Sequence, residues 1–476
     1  MRWLRTEFLA AAALAGWAAL AGGCAALSSP PELEAVQALT RGKTFGTDAV
    51  LTVESSPQTQ AIVQTLLVPP LSAENAVRVA LLNNPGLQSS LAALGVGDAE
   101  RAQMGGLSNP HLSLGRFAQA DQIELERVLK FDVLSLITLP WRARWAGQQS
   151  ELAGLQAAQE VVKLAADTRK AWIRAVAASQ TERYLHDAQE AAEAGSELAR
   201  RLAQAGNWSW LEQARQQSLQ AEATAQRARA QQAAFAARED LTRLMGLWGE
   251  QTLFKLPERL PELPSGPLSL DAVEAMAISD RLDVAYAKRE SAFVAESLGL
   301  PINPGGAAGL DVSMSAATVF NNASGTRESR RGLALEFPLP IFDAGQNAQE
   351  RSRGLYQQTF ARTREVAVRA RSEAREAYHG YRTAYDLARH YRDTVVPLHR
   401  RIQDEMVLRY NGMIAGLFDL LADARASMAA VNASLEAQRD FWLADADLQT
   451  TLTGTSPTSL SAPRDLTPTG GNSKGH

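Results

Sequence analysis

Between residues 346 and 410 one apolar rhythm is held for longer than any compact domain requires. Tyr356, Phe360, Thr363, Ala367, Ala370, Ala374, Ala377, Tyr381, Ala384, Ala388, Tyr391, Val395, Leu398 and Ile402 follow one another at alternating steps of four and three. Sustained over more than six repeats, that spacing predicts a heptad seam of the coiled-coil kind. An uninterrupted helix over this range reaches roughly 100 Å at 1.5 Å per residue. Leu421, Ala424, Met428, Val431, Leu435 and Trp442 carry the rhythm back, and Val161, Ala165, Thr168, Trp172 and Ala175 repeat it earlier. Alanine at so many seam positions buries little area but lets helices approach closely. Pro397 lies inside the run and is expected to kink it. The break between outgoing and returning stretches is "RYNGMIAGLFDLLADAR" (409–425), and a similar break, "RLAQAGNWSWLEQAR", lies about two hundred residues upstream. Gly206, Asn411 and Gly412 are the expected turn residues, because glycine and asparagine tolerate positive φ.

The long helices belong to a duplicated plan. "LSAENAVRVALLNNPGL" (71–87) and "LSLDAVEAMAISDRLDV" (268–284) align without a gap, matching Leu71 with Leu268, Ser72 with Ser269, Glu74 with Asp271 and Ala80 with Ala277. In both, a serine followed by an acid predicts a capped helix start. Each copy continues through a proline stop (Asn109-Pro110; Pro301 to Pro304), a strand pair and two long helices, and closes on "LMGLWG" or "LTGTS". The expected organisation is a first unit over 71–250, a proline-rich connector over 251–267, a second unit over 268–454 and a disordered tail over 455–476.

The strand pairs carry the other period. Ile123, Leu125, Leu129, Phe131 and Val133 share one face, and Glu124, Glu126, Lys130 and Asp132 the other. Leu310, Val312, Met314, Ala316 and Phe320 oppose Asp311, Ser313 and Ser315, while Leu333, Leu335 and Phe337 oppose Gly332, Ala334 and Glu336. Any half-buried sheet alternates in this way. A transmembrane barrel needs the same pattern, with apolar residues toward lipid. On that reading Glu124, Glu126, Lys130, Asp132, Asp311 and Glu336 are candidates to line a pore, and Arg127, on the apolar face, should sit near a membrane interface. Four strands cannot close a water-filled barrel alone, because in lipid every edge must be paired. Several copies would have to share one.

The N-terminus indicates where this happens. "MRWLRTEFLAAAALAGWAALAGGC" has Arg2 and Arg5, an apolar run from Phe8 to Leu20 and small residues before the chain's one cysteine. This is the layout of a secretory signal over 1–23, too short to span a membrane comfortably. "AGGC" is similar to a bacterial lipobox, which makes Cys24 the candidate lipidation site (palmitate) of a lipoprotein and 24–70 an acylated linker. The 48 basic against 52 acidic residues argue against a nucleic-acid partner.

The lipobox, the twice-used order of short helix ("NNPGL" in the first copy), strand pair and long hairpin, and the phrases "FPLPIFDAGQ" (337–346) and "RYNGMIAGLFDLLADAR" resemble the TolC-like outer-membrane factors of lipoprotein type. The resemblance covers roughly residues 70–454. It implies a mainly helical protein with a β membrane portion. Three copies give four strands each to a twelve-stranded β-barrel that continues into an α-helical coiled-coil barrel. It further implies a homotrimer in outer-membrane lipid, extending into the periplasm, and a passive exit duct of a tripartite efflux or export system. That duct would work with a periplasmic adaptor protein and an inner-membrane pump. Both glycine breaks then become hairpin turns at the periplasmic tip. Asp419, with Asp423 four residues on, takes the place of the acids that narrow the closed entrance in this family. Tyr410 matches a latch tyrosine, with either Glu212 and Arg215 or the position of Trp210 as its counterpart on the first hairpin.

No enzyme constellation is expected, nor any cofactor or metal. His379, His390 and His399 stand eleven and nine residues apart on one helix, too far to share an ion. "INPGGAAG" precedes a strand rather than opening a helix, and so reads as a turn. The competing readings are a periplasmic adaptor and a structural coiled-coil lipoprotein of an envelope-spanning assembly. An adaptor normally carries one hairpin, and a spacer leaves the alternating strands unexplained.

Overall fold

The computed structural model describes residues 31–47, 51–52, 56–106, 108–269, 271–298, 311–336 and 346–456. The signal segment, Cys24, Pro301 to Pro304, "INPGGAAG", Leu310 and 337–345 lie outside these residues, as does the tail beyond 456. Two short helices, α1 (Pro31–Thr40) and α2 (Pro57–Leu67), precede the first copy. That copy comprises α3 (Ala73–Asn83), α4 (Pro85–Gly105), strands β1 (His111–Gln119) and β2 (Gln122–Asp132), and the long helices α5 (Val133–Gln204) and α6 (Trp210–Met245). The second comprises α7 (Val273–Asp280), α8 (Leu282–Leu298), β3 (Asp311–Asn321) and β4 (Thr326–Glu336). It ends with α9 (Gln346–His390), a π-helical turn (Tyr391–Val395), α10 (Val396–Asn411) and α11 (Leu417–Thr453). Both runs of elements follow one order, two short helices, a strand pair, an outgoing helical stretch and a returning helix. At 72 residues, α5 alone is about 110 Å long.

Each copy is held shut by the same two contacts. The aligned leucines are gripped through their backbones by aromatics of the outgoing long helix. Trp172 Nε1 donates to Leu71 O at 2.7 Å, whereas Leu268 N donates to the Tyr381 hydroxyl at 3.1 Å. At the joint between the two short helices, Asn84 Nδ2 donates to Leu244 O at 2.8 Å. The matching residue Arg281 donates from Nη1 to Thr451 O at 3.4 Å. The root of each returning helix is thus tied to its own short-helix joint. Arg281 has no exposed side-chain surface, and its charge is met by Asp283 (2.6 Å) and Glu373 (2.9 Å), as a buried guanidinium requires. Gly246, at φ +65°, ends α6 where a Cβ would lie 2.5 Å from Asn83 O.

The core lies between the two copies at the hairpin roots. Val79, Ala80, Trp172, Val176, Leu241 and Met245 pack with Ala446 of α11. Tyr381 and Tyr385 close on Phe441 at centroid distances of 5.5 and 5.7 Å. Lys170 pairs with Asp447 at 3.0 Å across the same seam. Burial pushes the nearby Asp445 carboxyl above its ordinary value, and Arg169, 3.9 Å away, pulls it part of the way back. The connector over 251–267 is non-helical apart from the end of a 3-10 turn (Gly249–Leu253), and it is strapped down. Phe254 and Leu260 are buried, and Trp442 Nε1 donates to Pro261 O at 3.0 Å.

Several expectations are corrected. Ser72 caps α3, accepting from Asn75 N at 3.1 Å, but Ser269 caps nothing comparable. Helix α7 starts three positions later, after Ala272, with Glu274 rather than Asp271 in its first turn. The segment read as an acylated linker contains α1 and α2, whose Val36 and Val63 are fully buried. Thr455 and Ser456, assigned to the tail, are buried as well. Val133 opens α5 instead of ending β2.

Burial along α9 also departs from a strict heptad. Thr359, Val366, Ala370, Ala374, Tyr381, Tyr385 and Ala388 are buried, whereas Tyr356 and Phe360 are exposed. With the half-buried Thr363 and Ala377, the stripe steps 4, 3, 4 and repeats every eleven residues, close to the period of a straight helix. A heptad along α9 mixes the face covered within the chain with a second face that stays open. In the first copy, Val161, Ala165, Thr168, Trp172 and Ala175 are all buried as expected. At Pro397 the irregularity is the π turn before it. Proline clashes with the carbonyl four residues back, that of Asp393, and widening Tyr391–Val395 accommodates the clash.

Candidate functional site

The strands form one antiparallel sheet in the order β1-β2-β3-β4, so β1 and β4 are both open edges. Register sorts its side chains into two unlike faces. On the first, the rows Leu112–Leu129–Met314–Leu333 and Phe131–Val312–Leu335 are wholly apolar. The second carries Glu124, Glu126, Lys130, Asp132, Asp311, Glu328, Arg330 and Glu336. This polar face is the one hollowed toward the β-turns. Near the β-turns it encloses a hollow of about 190 Å³ lined by Phe117, Glu124, Val319, Asn321, Glu328 and Arg330. A sheet that curls toward its charged side encloses water and turns its apolar side outward.

All six pore-lining candidates lie on that polar face, but they are not equivalent. Lys130 bridges Asp311 at 2.7 Å and Glu336 at 3.1 Å, tying together β2, β3 and β4. Asp132 directly opposes Asp311 across the strands, and its carboxylate accepts from Ser135 N at 3.0 Å, capping α5. Asp132 is thus a strand-to-helix hinge residue more than a pore charge. Glu124 and Glu126 make no ion pair among the described residues. Arg127 sits mid-strand on the apolar face, opposite Leu114 and Ala316. Sequence reading missed Glu328 and Arg330, because β4 begins with the unbroken polar run "TRESRR" and its alternation emerges only once register is known.

The two hairpin tips share one backbone figure. At the first, Gly206 N reaches Ala203 O (3.0 Å) and Asn207 N reaches Leu202 O (2.9 Å), with Gly206 at φ +76°. At the second, Met413 N reaches Tyr410 O (3.0 Å) and Ile414 N reaches Arg409 O (2.9 Å), with Met413 at φ +58°. Both are Schellman-type helix ends, and the left-handed residue of the second is Met413 rather than Asn411 or Gly412. Asn411 is the last residue of α10, and Gly412 has φ −79°. The correct structural match is thus Gly206 with Met413, one residue off the obvious glycine pairing.

That match aligns the candidate gate acids with each other. Ser209 N donates to Glu212 Oε2 at 2.7 Å, and Glu212 N returns a bond to Ser209 Oγ at 3.3 Å, completing a capping box. Gly416 N donates to Asp419 Oδ2 at 3.1 Å. Glu212 and Asp419 each close the first turn of a returning helix with one carboxylate oxygen. Asp419 is exposed, with Asp423 one turn further along the same helix face. Arg215 is exposed one turn beyond Glu212, and Tyr410 is 38% exposed before the second tip. The capping box was legible as "SWLE"; the role of Gly416, which offers no side chain, was not.

Among the described residues no group of three or more His, Cys, Asp or Glu could hold a metal ion, and no helix is long and apolar enough to cross a membrane.

No protein-family model matches the chain, and no curated protein matches it. Solved structures do. CusC, described as forming a transmembrane channel, superposes with a TM-score of 0.65 over 82% of this chain and 93% of its own, at 14% identity. VceC, an outer-membrane protein of Vibrio cholerae, gives 0.63 over 80% and 96% at 16% identity. The CmeC outer-membrane channel of Campylobacter jejuni gives 0.60 over 85% and 87% at 14% identity. The fold is the one that the resemblance to the TolC-like outer-membrane factors led us to expect.

Proposed function

We propose that the chain is one subunit of an outer-membrane exit duct, a passive conduit gated at its periplasmic tip. The observation that carries this reading is the sheet. It has two open edges, one apolar face and one charged face, and it is set on helical hairpins about 100 Å long. In lipid an unpaired strand edge is prohibitively costly, so the edges must meet those of further copies. Three copies give twelve strands, enough to enclose water. The N-terminal lipobox adds an acyl anchor at Cys24, and an adaptor and an inner-membrane pump would engage the tip in an efflux or export assembly. A single-hairpin adaptor fits poorly, because the strand-pair-plus-hairpin unit occurs twice.

At the tip, three Asp419 carboxylates, each with one oxygen held by Gly416 N–H and the other free, would ring the axis with Asp423 one turn deeper. Tyr410 of one hairpin would latch against the Glu212 and Arg215 region of another. Such a ring repels anions and retains cations. The test is planar-bilayer conductance of the purified full chain. We expect cation-selective currents in the parent and weakened selectivity in Asp419→Ala. A parent that never conducts removes the duct, and an Asp419→Ala current identical to the parent's removes the gate assignment alone.

A further inference from the structure

The apolar face of the sheet has a second property that a lipid-facing surface does not need. Its side chains include four arginines, Arg116, Arg127, Arg327 and Arg331, and not one acid. The polar face carries six acids against Lys130 and Arg330. The arginines are also confined in height. Both rows nearest the helices are wholly apolar, and the first charges occur in the row Leu114–Arg127–Ala316–Arg331, halfway up the strands. Above it stand Arg116, opposite Leu125, and Arg327, whose guanidinium lies 5.3 Å from the Phe320 ring. All four are exposed, and none is in an ion pair with an acid among the described residues.

The apolar surface continues below the sheet instead of above it. Leu136 and Ile137 are each 51% exposed and Trp141 is 37% exposed on the first turns of α5. From Trp141 to the start of α5 is about 12 Å of helix. From there to the Arg127 row is about 20 Å of strand, or ~15 Å once tilted. The sum, about 27 Å, is close to the usual height of a barrel's lipid-facing band. With the slab centred on the sheet, Arg127 and Arg331 would fall at its midplane, where charge is worst tolerated. With the slab running from Trp141 to the Arg127 row, an interfacial tryptophan marks one boundary and arginines mark the other.

From this placement we infer that the upper part of the apolar face is a binding belt for the phosphate groups of outer-leaflet lipid. The inference rests on the membrane reading proposed above. Guanidinium groups bind phosphate through two parallel hydrogen bonds, a geometry that lysine lacks. Arg127 and Arg331 both oppose Ala316, which sets them about 10 Å apart. Arg116 is the diagonal neighbour of Arg127, roughly 7–8 Å away. Several guanidinium groups therefore converge on headgroups lying at one level.

The experiment is native mass spectrometry of the full chain in neutral detergent, titrated with bis-phosphorylated lipid A and, separately, with a neutral glycolipid. Arg127→Gln with Arg331→Gln should bind lipid A about tenfold more weakly. Its neutral-glycolipid binding and its conductance should be unchanged. Arg330→Gln, on the opposite face, should match the parent. If the double variant fails to assemble, Arg331→Gln alone should still weaken lipid A binding about threefold. Parent-like lipid A binding in an assembled, conducting arginine variant overturns the belt and leaves the duct intact. Full displacement of lipid A by inorganic phosphate overturns it too, because the site would then be one for an ion and not for a lipid. A parent that neither inserts nor conducts removes both.

Discussion

The first hairpin and the second trace the same path with residues of different quality. The first has an unbroken outgoing helix of 72 residues. Its tip uses Gly206 for the left-handed position and a complete Ser209–Glu212 capping box. The second hairpin passes through a π turn before Pro397, and it asks Met413 to adopt φ +58°. Its returning helix starts at Gly416, which has no side chain to give. A non-glycine residue in the left-handed region costs about 1–2 kcal/mol, and glycine in place of a serine cap only about a few tenths of a kcal/mol. The root reverses the order. Where the first copy joins its short helices through the neutral Asn84, the second uses the buried Arg281 with two carboxylates. The second hairpin is therefore firmer at its root and less well determined at its tip than the first.

The largest test of this contrast is Trp172→Ala, which empties the first root and leaves Leu71 O unpaired. We expect a loss of about 3–5 kcal/mol, read as earlier urea unfolding of the detergent-solubilised protein. Arg281→Met strips the guanidinium from Asp283 and Glu373, leaving Asp283 only its bond from Val284 N and Glu373 its contacts with Ser456 and Arg369. It should cost about 3 kcal/mol, with hydrogen exchange rising first in α7, α8 and the end of α11. If exchange rises equally at the second tip, root and tip are not separable and the comparison fails. Exchanging tip residues sharpens it: Met413→Gly should stabilise the second tip by about 1 kcal/mol, and Gly206→Ala should destabilise the first by a similar amount, both seen in tip amide protection.

The smallest effect concerns pH. Burial holds the folded-state pKa of Asp445 above its unfolded value. Its contribution is therefore most favourable below the ordinary carboxylate range and is lost as pH rises through the folded value. Asp445→Asn should remove that slope, so that stability measured at about pH 4 and about pH 7 differs less than in the parent.

Much of this was legible in the chain. The duplication was read from aligned leucines, and the same leucines turned out to be the ones Trp172 and Tyr381 grip. The strands betrayed themselves by alternation wherever their residues alternate cleanly, as in β2 and β3. In β4 only the second half, from Gly332 to Glu336, shows it, because the polar run before it carries no period until a neighbouring strand fixes its register. The tips were found by their glycines and misassigned by one residue, because a hydrogen-bond pattern and not residue identity decides which position turns left-handed. The heptad count along α9 failed for a related reason. Helix α9 carries one apolar stripe covered within the chain and a second left open, and a one-dimensional count merges them.

The order of the strands has one more consequence. In a four-strand meander the outermost strands run antiparallel to each other, so a second copy's β1 can lie beside β4 without breaking the alternation. The join is head-to-tail and obeys the same rule at every addition. In the duct proposed above, edge pairing alone would therefore set no number of subunits. Strand tilt and the angle at which neighbouring hairpins meet would have to set it.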